Sequence, residues 1–223
     1  MDNLALTIAP LIAASINAGT PLMLAALGLL VNEKAGVVNL GAEGMMLVSA
    51  ITGFAVAVNT GSPTLGFLAG AGASMVLSGF FAWLTVWLGT NQYATGLALS
   101  LFGAGASTYI GLKYVGNSLQ NGRFGIPFLE DIPVLGPMGQ LTPTVSPGYG
   151  FAAIIVAFVG RLHPVGVIFS SFVMALFYIG GELAQSRLGL PSAITGVFQG
   201  ILLFALLACD VLIQYKLRWR KHG

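Results

Sequence analysis

Residues 32–48 read "NEKAGVVNLGAEGMMLV", a polar interruption between two apolar runs. Residues 5–31 ahead of it are almost uninterruptedly apolar, and another apolar run follows at once. The stretch nevertheless carries Glu33, Lys34, Asn39 and Glu43, with Gly36, Gly41 and Gly44 among them. Glu43 falls several residues inside what should be hydrocarbon, so the fold turns on what holds a carboxylate there.

The solvent for most of this chain's surface is lipid. Only 7% of the 223 residues are charged and 56% are hydrophobic, with a mean hydropathy of +0.89. An ordinary soluble domain carries about 25% charged residues. Nine basic and seven acidic side chains cannot clothe a soluble core of this size. A net charge of +2 is too small to indicate nucleic acid, and no basic stripe with interleaved aromatics occurs. Cys209 stands alone, which excludes a disulfide frame and a thiolate metal site. The first apolar stretch lacks a basic leader and a small-residue cleavage site, so it reads as a retained membrane helix.

A spanning helix needs about 20 mostly apolar residues. Candidates are 5–31, 37–58, 65–88, 92–112, 165–185 and 194–215. The run 149–160, "YGFAAIIVAFVG", is too short to cross and reads as a broken or re-entrant helix. Between the halves, 113–147 holds five of the ten prolines, five glycines and the pair Glu130–Asp131. Such a segment cannot hide its backbone polar groups in lipid and must face water. The expected fold is therefore all-α, a polytopic transmembrane bundle of about six full spans plus one short helix. It forms one domain over 1–223: helices in 1–112, the water-facing loop 113–147, and helices with a basic tail in 148–223. Lys216, Arg218, Arg220 and Lys221 crowd the C-terminus, which the positive-inside rule places in the cytoplasm.

In lipid, helices associate through close backbone approach and polar contacts. Small residues recur every four positions at Gly66, Gly70, Ser74 and Ser78, and at Gly96, Ser100, Ala104 and Thr108. That spacing lines each set along one helix face, as helix-packing residues against each other or against neighbours.

Asn39 and Glu43 lie four apart and share a helix face. A carboxylate at the bilayer centre costs about 2.5–3.5 kcal/mol on insertion scales, so it must face a cavity, a partner or a helix end. Two roles follow for Glu43: lining a route through the membrane, or capping a nearby helix N-terminus. Glu33 and Lys34 read as a solvated charge pair at the interface. In "GTNQYATG", 89–96, Asn91 and Gln92 open an apolar helix; they cap it or line a path, with Thr90 or Asn91 as the N-cap. In "GGELAQSR" Gly180 and Gly181 weaken the helix ahead of a third polar cluster, Glu182, Gln185 and Arg187, which a helix end with solvated charges explains equally well. Gln199 is placed to cross-link helices, and Asp210 lies near the basic tail. His163 has no second histidine or cysteine nearby, so no metal site is expected. The chain has no G-x-S-x-G, H-E-x-x-H or G-x-x-x-x-G-K-[S/T], so it carries no catalytic residue and does not itself hydrolyse ATP.

"NEKAGVVNLGAEGMMLVSA" resembles the signature of permease subunits of bacterial ABC importers of the ribose, branched-chain amino acid and nucleoside group, E-x-x-G-x-x-N-x-G-x-E-G-x-M. Glu33, Gly36, Asn39, Gly41, Glu43, Gly44 and Met46 fall on its positions. "TNQYATGLALSLFG", "SPGYGFAAIIVAFVGRLHPVGV" and "GLPSAITGVFQGILLFALLACD" are also similar to nucleoside-type permeases. The resemblance implies a multi-pass permease of the inner membrane that imports nucleosides or simple sugars. Its implied partners are ATP-binding subunits, a second permease copy or paralogue, and an extracytoplasmic binding protein. ATP and magnesium would sit on the partner subunits, leaving no cofactor in this chain. One departure stands out. The family's ATPase-docking loop, R-A-x-G-x-N-x-x-A-A-x-x-x-G-I, has no counterpart, because "LEDIPVLGPMGQ" runs directly into "LTPTVSPGYGF". An internal deletion or a fusion of two neighbouring genes would produce this, and either would leave a remnant with an assembly role as the alternative function.

Overall fold

The computed structural model describes residues 2–117 and 148–189, with individual positions between 191 and 208; for residues 2–9 and 182 it describes backbone alone. Among the described residues there are six α-helices: α1 (Asp2–Lys34), α2 (Ala42–Thr60), α3 (Pro63–Ala82), α4 (Gln92–Gly111), α5 (Tyr149–Val159) and α6 (Pro164–Leu188). A π-helical turn, Trp83–Trp87, extends α3. No strand occurs among the described residues. The protein is an all-α bundle.

Local chemistry sets the helix ends. Ser62 caps α3, its hydroxyl accepting from the Leu65 N–H, and Pro63 takes the first turn, where a missing N–H costs nothing. Asn91 caps α4 by accepting from Tyr93 and Ala94 N–H groups at 3.0 and 3.1 Å. α2 and α6 end at Gly61 and Gly189, both left-handed, as helix C-termini favour. Pro10 and Pro21 lie inside α1 without ending it, a tolerance that neighbouring helices and hydroxyls give to membrane helices.

Among the described residues, four helical stretches are long and apolar enough to cross a membrane: Pro10–Lys34, Ala42–Thr60, Pro63–Trp87 and Pro164–Leu188. The described residues thus supply four of the about six full spans expected. The 92–112 candidate does form α4, of 20 residues, but its glycines and hydroxyls dilute its apolarity. The 194–215 candidate, with Gln199, and nearly all of the 113–147 loop lie outside the described residues. α5 has 11 residues, about 17 Å of helix against about 30 Å of hydrocarbon, too short to cross. Outward faces are apolar: Met75, Leu101 and Phe169 are 71%, 75% and 69% exposed, as lipid-facing side chains would be.

The helices pack as two groups. α3 and α4 both lie against α2; α1 packs with α5 and α6; and α2 also meets α5, which joins the groups. Glycine sets the approach in each. A Cβ at Gly66 or Gly70 would strike the α2 backbone at Gly53 or Ser49, and the Ser49 hydroxyl donates to the Gly70 carbonyl at 2.9 Å. A Cβ at Gly103 would overlap Gly44, so α4 crosses α2 in backbone contact. The small-residue stripes therefore face α2, not each other. Ser74 is half-buried, while Ser78, Ala104 and Thr108 are exposed. The buried face of α4 runs Gly96, Leu99, Ser100, Gly103 because 3.6 residues per turn carry a strict four-residue stripe off one face. In the other group, Leu22, Ala26, Ala153, Val156, Val167 and Met174 form the main apolar cluster. α5 turns into α6 through Arg161 and Leu162, both with φ near +50°, and Gly160 and Gly166 touch across that turn.

Candidate functional site

The site grows from the break between α1 and α2. α1 ends in a Schellman motif: the Val37 N–H donates to the Asn32 carbonyl at 2.9 Å and the Gly36 N–H to the Glu33 carbonyl at 3.0 Å. Gly36, at φ +79°, occupies the left-handed position this closure requires. Residues 37–39 then run without helical structure. Irregular backbone inside a membrane protein must find partners within the protein. Here it does. The Val38 N–H donates to Gln92 Oε1 at 2.7 Å, the Leu40 carbonyl accepts from the Ser100 hydroxyl at 2.7 Å, and the Gly41 N–H donates to Asn39 Oδ1 at 2.9 Å. Asn39 is buried, and its amide nitrogen reaches Met45 Sδ at 3.7 Å. Gly96 lets α4 approach, since a Cβ there would lie about 3 Å from Leu40 and Gly41.

Glu43 sits in the first turn of α2, 7% exposed. Its Oε2 accepts from the Gly150 N–H at 2.6 Å, in the first turn of α5. A carboxylate there meets both an orphan N–H and the positive end of the helix dipole. Gly150 has no room for a side chain, because a Cβ would lie 2.5 Å from the Glu43 backbone. The carboxylate thus pins the α2 group to the α1 group.

A cavity of about 350 Å³ opens beside this junction, between the two helix groups. Its lining includes Leu29 and Glu33 of α1, Asn39 of the break, Tyr93 of α4, and Ile154 and Phe158 of α5. Glu33 makes no ion pair with Lys34; the expected charge pair is absent because Glu33 turns to the cavity while Lys34 is exposed. A second cavity of about 460 Å³, walled by Leu77, Phe80, Phe81, Leu84, Leu99 and Phe102, is almost entirely apolar.

The structure brings Asn39, Glu43, Gln92, Gly96 and Ser100 together at the break, and puts Asn91 at the α4 cap on its exposed margin. Gly66, Gly70 and Ser74 lie apart, along the α2–α3 contact. Gly180 and Gly181 fall inside α6, which ends at Leu188, directly after "GGELAQSR". His163 precedes α6 and makes no side-chain cap, and no cluster of His, Cys, Asp and Glu among the described residues could hold a metal. Sequence reading missed Gly150, Tyr93 and Phe158; only the doubled glycine of "GYG" hinted that something comes close there.

The family described as the permease component of the branched-chain amino acid transport system matches residues 11–131. That is more than half of the chain and includes the whole break. The chain belongs to this permease family. A Haloferax volcanii protein provisionally named a glucose ABC transporter permease is 45% identical over 128 residues, covering 57% of this chain and 37% of that protein. A second H. volcanii protein, named a glucose ABC transporter permease, is 23% identical over 288 residues, covering 88% of this chain and 76% of it. The guanosine ABC transporter permease of Bacillus subtilis is 31% identical over 139 residues, 56% of this chain and 43% of its own length. This family member therefore spans under half the length of the first and third relatives. The 288-position alignment is longer than the chain's 223 residues, so that relative carries residues with no counterpart here. No solved structure matches the chain.

Proposed function

We propose that this chain is a membrane-spanning subunit of an ABC importer that forms part of the route for nucleosides or simple sugars. Separate ATP-binding subunits power it, a second permease copy or paralogue completes the route, and an extracytoplasmic binding protein delivers the solute. It lies in the plasma (inner) membrane with its basic C-terminus cytoplasmic. ATP hydrolysis drives the route open to either side in turn; this chain supplies wall, not chemistry.

The observation that carries the reading is the family match across residues 11–131, which includes a helix break held by the side chains of Asn39, Gln92, Ser100 and Glu43. Asn39, Gln92 and Glu43 act as positioning residues, and Asn91 as a cap, beside the route instead of as ligands in it. The test is uptake of radiolabelled uridine, guanosine and D-glucose by cells lacking this reading frame. Loss of uptake of at least one, with recovery when the chain is supplied on a plasmid, is expected. Unchanged uptake of all three contradicts the proposed solute class.

A second reading has its own support. The alignment that outruns this chain fits a shortened permease that folds with a partner but does not couple. Restored uptake in a permease-null strain supplied with this chain alone disposes of it.

A further inference from the structure

Around the break, the side chains of Asn39, Gln92, Ser100 and Glu43 all bond backbone groups. Glu33 does not. Glu33 is among the residues lining the 350 Å³ cavity, and its carboxylate has no hydrogen bond or ion pair among the described residues. Among the described residues, no basic side chain lines that cavity. Tyr93 and Phe158 face it from opposite helix groups, and the rest of its wall is aliphatic apart from Asn39. Ligand pockets have this make-up, a few placed polar groups in an apolar wall, and this volume is near their lower limit of about 300 Å³. Transporters also place solute sites at interrupted helices, where irregular backbone can line a cavity.

We propose that the cavity is a solute subsite for one neutral, hydroxyl-bearing ring, with Glu33 as its specificity-determining residue. The inference rests on the permease reading and adds to it a rule of selection. A carboxylate accepts hydrogen bonds from hydroxyl groups and, as an ionised acceptor, makes them short and strong. The aromatic faces of Tyr93 and Phe158 cover the apolar C–H face of such a ring. An anionic solute meets the same carboxylate as a like charge, with no cation among the described lining residues to compensate. The subsite therefore takes the neutral solute and rejects its phosphate ester.

The test is isothermal titration of the full chain, purified in lipid nanodiscs, with uridine, D-glucose, uridine 5′-monophosphate and glucose 6-phosphate. At least one neutral probe binds, and its phosphate ester binds at least tenfold more weakly. Glu33→Gln weakens the neutral probe at least fivefold and narrows the discrimination to less than threefold, while Glu33→Asp keeps it at tenfold. Tyr93→Ala, at a residue 57% exposed, weakens the neutral probe at least threefold with discrimination intact, and tests the subsite even if Glu33→Gln does not fold. Every other pattern overturns the proposal: no binding of either neutral probe, equal binding of the ester, or affinities untouched by Glu33→Gln or by Tyr93→Ala. Co-purification of an ATP-binding subunit by a chain that fails this titration would sink the subsite and leave the permease reading standing.

Discussion

A carboxylate in hydrocarbon costs about 2.5–3.5 kcal/mol on insertion scales, and Glu43 offsets that cost through the Gly150 N–H, 2.6 Å away. Removing a partner from such a buried donor costs about 1–3 kcal/mol. Glu43→Ala is therefore expected to lower the thermal unfolding midpoint of the detergent-solubilised protein. Glu43→Gln, which keeps an acceptor oxygen but not the charge, should recover part of the loss. Equal midpoints for Glu43→Ala and the unchanged protein would show that the bond holds nothing. Of the two roles open to Glu43 in the sequence, path and cap, the bond to the Gly150 N–H has the geometry of a cap. Its partner could not be read, because Gly150 lies 107 positions away and no local pattern announces a contact of that separation. Glu33 was read as an ordinary surface charge for the converse reason: adjacency to Lys34 suggests a pair, but neighbours in a helix point away from each other.

At the scale of elements, glycine decides where helices touch. Gly44 and Gly103 meet so closely that a Cβ on either would fall inside the other helix's backbone, whereas a Cβ at Gly72 meets nothing within 4 Å. Gly44→Ala should force α2 and α4 apart and lower the unfolding midpoint or abolish folded yield. Gly72→Ala should be neutral or slightly stabilising, because alanine is the better helix former by about 1 kcal/mol. Comparing the two by tryptophan fluorescence during heating checks this; equal midpoints would contradict the packing. Helix positions were legible from apolar runs and from punctuation such as Asn91, since caps act locally. Which face packs on which was not. The α4 stripe was read at four-residue spacing, yet its buried face includes Leu99 and Gly103 and omits Ala104 and Thr108.

At the scale of the whole molecule, two helix groups share one pinned junction and enclose a cavity beside it. Composition alone made lipid the solvent and the fold all-α. The family signature made the break conspicuous, but its meaning is three-dimensional: Gln92, Ser100 and Glu43 each serve backbone supplied by another element, while Asn39 serves the break itself. The pairing of α1 with α5 and α6, across some 120 positions, was beyond sequence reading because apolar helices carry no partner code in lipid. The claim on which the account depends most is membership in a larger importer. Tagged chain extracted in mild detergent, purified once and submitted to mass spectrometry tests it directly. An ATP-binding subunit and a second permease chain in stoichiometric amount are the predicted result; the chain emerging alone, folded and without either, would contradict it.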